Sequence, residues 1–113
     1  MIQEGQRKEW IEEAVRRIVQ EVDPERVILF GSESRGVAQA DSDVDLLVIA
    51  EGEKIQVRGR RKTLAGLWRA MGRLPLSFDF LLFSPEEINR WEGNINHVIH
   101  RALQEGVVLY ERG

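Results

Sequence analysis

Two aspartates stand where chain packing alone would favour apolar residues. Asp45 interrupts the apolar stretch Val44–Ile49, and Asp79 lies between Phe78 and Phe80 in a second such stretch. Burying a charge in an apolar strand is costly unless it is paired, and neither stretch carries a cation. In an extended chain Asp43 and Asp45 point to one face, some ~7 Å apart. Like charges on one face repel unless a cation lies between them. Hard carboxylate oxygens suit magnesium, which completes its shell with water and phosphates. Asp43-Val44-Asp45 taken alone also reads as a turn, where Asp-Ser is favoured. The two charges set inside apolar strands favour a shared metal.

Upstream, Gly31-Ser32 leaves the apolar run Val27-Ile28-Leu29-Phe30. Glycine lets a phosphate approach the backbone, and the N–H groups of a helical turn point at the anion. A phosphate cradle beside a metal pair is the apparatus of phosphoryl or nucleotidyl transfer. Other phosphate and metal motifs fail on this stretch. A Walker A loop needs Lys-Ser or Lys-Thr after Gly36, where Val37-Ala38 stands. An EF-hand counted from Asp41 has Leu46 in place of its glycine and Gly52 in place of its glutamate. A dinucleotide fingerprint needs a third glycine.

These residues must be held by a scaffold, and its elements are legible in the spacing. Trp10, Ile11, Ala14, Val15, Ile18, Val19 and Val22 recur at helical intervals, so a helix over about 7–22 is expected. Asp23-Pro24 ends it. Val27–Phe30 reads as a strand buried on both faces, Val44–Ile49 as a second and Phe78–Phe83 as a third. A long helix over about 54–73 is expected between the second and third strands. It would turn Val57, Leu64, Leu67, Trp68 and Met71 inward, with Gly59 and Gly66 weakening it. Ser84-Pro85-Glu86-Glu87 is a helix start. A last helix over about 95–105 has Ile95, Val98, Ile99, Ala102 and Leu103 inward and stops at Gly106. Val107–Tyr110 is the fourth strand. The alternation implies one α/β domain over 1–113, a small mixed sheet of about four strands with helices packed on it.

Composition narrows the setting. The 113 residues contain no cysteine, which excludes disulfides and thiolate zinc sites. The N-terminus lacks a signal-peptide h-region, and no apolar run reaches a membrane span. A cytoplasmic protein is expected. The net charge of −3 argues against sequence-independent nucleic-acid binding. Yet Lys54, Arg58, Arg60, Arg61, Lys62, Arg69 and Arg73 fall in one segment without an acidic residue. That segment is either a solvated helix face or a surface for phosphate or an acidic partner. His97 and His100 have metal-ligand spacing but lack a third ligand, so structural or exposed roles are expected. Trp10, Trp68 and Trp91 fit core or interface better than nucleobase stacking.

The pattern Gly31-Ser32-x-x-Arg35-Gly36-x-Ala38, then Ser42-Asp43-x-Asp45-Leu46 and the later Asp79, resembles the signature of the nucleotidyltransferase superfamily related to DNA polymerase β. The likeness extends through Phe83–Glu87 and Glu105–Tyr110 and is strongest to the minimal nucleotidyltransferases. It implies that Gly31 and Ser32 hold the β/γ phosphates of ATP, that Asp43 and Asp45 bind Mg2+, and that Asp79 joins the metal set and acts on an acceptor hydroxyl. Arg35 either contacts the triphosphate or pairs with a carboxylate such as Asp41. Glu33 departs from the pattern and places an acid beside the triphosphate. The resemblance further implies AMP transfer to a tyrosine of a HEPN-domain partner in a toxin–antitoxin pair. A non-catalytic antitoxin acting by contact is the alternative, and a homo-oligomer stays open.

Overall fold

The computed structural model describes residues 4–31, 43–94 and 97–113. Helix α1 (Glu4–Val22) buries Ile11, Ala14 and Ile18, the stripe that its spacing marks. Asp23 (φ 46°) and Pro24 then turn the chain into β1 (Arg26–Phe30). Next come β2 (Val44–Ile49), α2 (Gly52–Arg58), α3 (Arg60–Met71) and β3 (Phe78–Phe83). The chain ends with α4 (Pro85–Trp91), α5 (Val98–Glu105) and β4 (Val107–Glu111).

The strands form one mixed sheet in the order β3-β2-β1-β4. β1 runs antiparallel to both β2 and β4, whereas β2 and β3 are parallel. Because strand side chains alternate, the sheet has two apolar faces, as the continuous runs in β1 and β2 imply. Val27, Leu29, Leu46, Val48, Phe80 and Leu82 pack with α1 and α3 on one face. Ile28, Leu47 and Ile49 pack with Ile88 of α4 and with Ile99 and Ala102 of α5 on the other.

Between β2 and β3 the expected single helix is two. Gly59, at φ 94°, ends α2 and starts α3, a left-handed conformation that glycine adopts without steric penalty. The break resets the helical phase, so Ile55 is buried while Val57 is 83% exposed, not inward. Leu67 and Met71 do face the core, but Trp68 is 47% exposed. Its Nε1 donates to the Phe78 carbonyl at 3.2 Å, and its ring meets Phe80 edge-on. Gly66 is explained by an ion pair: Arg58 bridges to Glu21 of α1 at 2.7 Å directly over it.

The later helices start where capping dictates. Ser84 accepts from the Glu87 N–H and Glu87 accepts from the Ser84 N–H, a complete capping box with proline in the first turn. In α5, His97 caps the helix by accepting the Ile99 N–H at Nδ1, 3.1 Å away. This start leaves Val98 exposed in place of the expected inward position; Ile95 lies outside the described residues.

Candidate active site

Alternation along the paired strands gathers the chemistry at one end of the sheet. On β1, Phe30 is the Cα partner of Asp45, and Asp45 is in turn the partner of Asp79 on β3. The three side chains form one cross-strand row on the α4/α5 face. The next row on that face is Ile28, Leu47 and Leu81, which joins the apolar cluster under the helices. The face is therefore apolar beneath the helices and carboxylate-bearing at its tip, where β1 ends and β2 and β3 begin.

Gly31 fixes the position of Asp45. It has φ 75°, and a Cβ built there would lie 2.3 Å from the Asp45 Oδ2 and 3.2 Å from its Cγ. The Asp45 carboxylate thus packs against the backbone of the chain leaving β1, a closeness that only glycine permits. Glycine was legible in the sequence as a place for phosphate approach. Its direct contact with Asp45 was not, because β1–β2 register is invisible in a linear pattern. Phe30, the third member of the row, was missed for the same reason.

Burial pushes the Asp45 carboxyl above the ordinary aspartate range, and the charges of Asp79 and then Asp43 push it further. All three carboxylates therefore share one electrostatic neighbourhood. Only the setting of Asp79 differs from the sequence expectation. Asp43 precedes β2 and is exposed, so it belongs to the approach to the strand. Asp79 is exposed, not buried, because β3 is an edge strand and its tip on this face lies beyond the helices. Only Asp45 bears a burial cost. Among the described residues, no three acidic or histidine side chains are drawn together as a closed metal-ligand set, as expected of like charges that repel. The donor chemistry nonetheless fits magnesium: hard carboxylate oxygens, one held half-buried against glycine.

Ser32, Arg35, Glu33 and Asp41 lie outside the described residues, and of the expected phosphate contacts only Gly31 is described. The histidines are structural, as expected. His97 stacks on Trp91 at 4.8 Å as well as capping α5, and His100 Nδ1 is 2.7 Å from the Glu92 carbonyl. The basic segment divides in two. Lys54 pairs with Asp23, Arg58 with Glu21, and Arg60 with Glu87 and the Leu82 carbonyl. Arg61, Lys62, Arg69 and Arg73 are exposed on the surface.

Comparison with known proteins converges on one family. The chain superposes on the crystal structure of a candidate nucleotidyltransferase from Sulfolobus solfataricus with a TM-score of 0.62. The superposition covers 92% of this chain and 79% of that one at 20% identity, a likeness of fold. No curated protein matches the chain. Residues 8–109 match the family model described as Nucleotidyltransferase domain. That match takes in all three aspartates and all but the outer ends of α1 and β4, and the chain belongs to the nucleotidyltransferase domain family.

Proposed function

We propose that residues 1–113 act as one magnesium-dependent domain that transfers AMP from ATP to a hydroxyl, the acceptor being a tyrosine of a HEPN-domain protein. The observation that carries this reading is the pairing of Asp45 with Asp79 at the tip of the sheet, with Gly31 packed against the Asp45 carboxylate. Asp43, Asp45 and Asp79 would hold the metal. When bound, magnesium would neutralise both the carboxylates and the charge developing on the phosphates.

The chain's own groups have distinct parts. Gly31, with Ser32 and Arg35 after it, receives the triphosphate where no side chain of residue 31 intrudes. Asp45 is anchored by burial, whereas exposed Asp79 can reach an acceptor arriving from solvent. Asp79 takes the proton of the acceptor hydroxyl on a carboxylate oxygen. The hydroxyl oxygen then bonds to the α-phosphorus, and the bond to the departing pyrophosphate breaks. The family membership supports nucleotidyl transfer. The choice of AMP and of a HEPN tyrosine rests on the sequence resemblance to minimal nucleotidyltransferases.

The test combines binding and transfer. ATP and magnesium together should stabilise the fold more than either alone; ligand at ~100 times its dissociation constant adds about 2.7 kcal/mol. Asp45→Asn should abolish that joint effect, and Asp79→Asn should keep nucleotide binding while losing transfer of labelled AMP to a HEPN protein. An unchanged joint shift in Asp45→Asn would sink the metal assignment. Equal labelling after replacement of the partner's tyrosines would sink the acceptor.

A further inference from the structure

Helix α3 turns its core side, Thr63, Gly66, Leu67 and Met71, toward the molecule. Beside it runs a second stripe in which Arg61 and Trp68 are exposed and Leu64 and Ala65 half-buried, Leu64 also packing on the core. Arg61, Leu64, Ala65 and Trp68 recur at i, i+3, i+4 and i+7, the spacing of one helix face. With Arg60 they line a shallow groove of about 410 Å³. Trp68 is 47% exposed there, and small Ala65 lets another backbone come close. Along one flank Lys62 and Arg69 lie seven residues apart, both exposed. Arg61, Lys62 and Arg69 make no ion pair among the described residues, unlike Lys54, Arg58 and Arg60. In a chain of net charge −3, this face has the opposite sign.

The other flank is the edge strand β3, and it is closed to an added strand. Val44 N–H bonds to Ser77 and Ala50 N–H to Phe83, so the odd-numbered carbonyls of β3 point inward to β2 and the even-numbered ones outward. Two of the outward carbonyls, those of Phe78 and Leu82, are already taken by Trp68 Nε1 and by Arg60. Strand pairing needs those acceptors free, which favours a helix over an added strand along this face. The same two bonds orient the groove. Its Arg60 end lies by Leu82, and its Trp68 end lies by Phe78, the neighbour of Asp79.

We infer that this face of α3 is a docking groove for an acidic amphipathic helix of a protein partner. Apolar residues of that helix would sit over Leu64, Ala65 and Trp68, with carboxylates along Lys62 and Arg69. One end of the docked helix would then lie at the Phe78 end of β3, across the edge strand from the face that carries Asp79. Docking itself needs neither nucleotide nor metal, so it stands or falls separately from the transfer reaction.

The probes are two synthetic helical peptides sharing one leucine face, flanked by glutamate in one and by lysine in the other, and an oligothymidylate. Each is titrated into the full chain without nucleotide, following the Trp68 indole N–H by NMR. The glutamate peptide should bind saturably and more weakly as salt rises. Lys62→Glu with Arg69→Glu should weaken it roughly tenfold or more, as should Ala65→Glu. The exposed charge reversal decides the matter if Ala65→Glu disturbs folding. The proposal is overturned by equal binding of the lysine peptide, by tighter binding of the oligothymidylate through the same cations, or by no saturable binding of the glutamate peptide. It is equally overturned if the groove is filled by a second copy, seen as a concentration-dependent dimer that the charge reversal dissociates.

Discussion

Asp45 on β2 and Asp79 on β3 are direct partners across the parallel strand junction, one half-buried and the other exposed. This asymmetry gives two like carboxylates different work. After burial itself, the charge of Asp79 is the largest influence raising the Asp45 carboxyl. Removing the Asp79 charge should therefore bring the Asp45 carboxyl back toward its ordinary range.

The pH dependence of stability follows from that. The folded protein holds the Asp45 proton more tightly than the ordinary aspartate value of 3.8. Its contribution to stability is thus complete below that value and is lost as pH rises through the folded one. Urea midpoints of the metal-free protein should fall relative to Asp45→Asn across this window and stay lower at neutral pH. A constant difference between the two proteins from acid to neutral pH would contradict the assignment.

Gly31→Ala should disturb both conformation and site. A residue with φ near 75° costs roughly 1–2 kcal/mol when it carries a Cβ, and here the Cβ also displaces the Asp45 carboxylate. Combined with Asp45→Ala, the substitution should cost only the backbone part. A double-mutant cycle of denaturation midpoints measures the difference. Simple additivity would mean that the carboxylate does not rest on this glycine.

Two other glycines should respond differently from each other. At Gly106 a Cβ would meet the Ala102 carbonyl oxygen at 2.2 Å and Ile28 at 2.4 Å. Overpacking of that kind costs typically about 1–3 kcal/mol. At Gly66 the obstacles are the ends of the Arg58 and Glu21 side chains, which can swing aside. The ~1 kcal/mol gained in helix propensity then offsets a partly exposed ion pair of at most similar size. Calorimetry should show Gly106→Ala clearly destabilised and Gly66→Ala close to wild type.

Ser84→Ala should cost about 1 kcal/mol by removing one half of the capping box. The cap lies at the end of the sheet away from Asp45 and Asp79, so nucleotide transfer measured well below the melting temperature should persist. A loss of transfer without a loss of stability would place Ser84 in the reaction.

Much of the scaffold was readable because its signals are local. The α1 stripe, the apolar strands and the Ser84 cap depend on neighbours within a turn or two, and each formed where its spacing indicates. By propensity Gly59 is a weak point in one helix, yet it is the boundary between two, since sequence alone gives a glycine's propensity but not its φ. An unbroken helix turns Trp68 and Val57 inward, and this boundary resets that phase. Of the site, Asp45 and Asp79 are visible in the sequence as charges in apolar strands. The exposure of Asp79 and the contact of Gly31 with Asp45 depend on strand order and register, which only the folded sheet supplies.

The bonds from Trp68 and Arg60 to the outer carbonyls of β3 also govern how copies of this protein can associate at high concentration. A sheet open at both edges can polymerise, each added molecule exposing a fresh edge for the next. Here one edge is blunted, so strand-to-strand joining is confined to β4. Two molecules joined there would each present only a closed edge outward, and growth would stop at the pair. Removing both plugs, with Trp68→Phe and Arg60→Ala, should turn a self-terminating contact into one able to propagate into fibres.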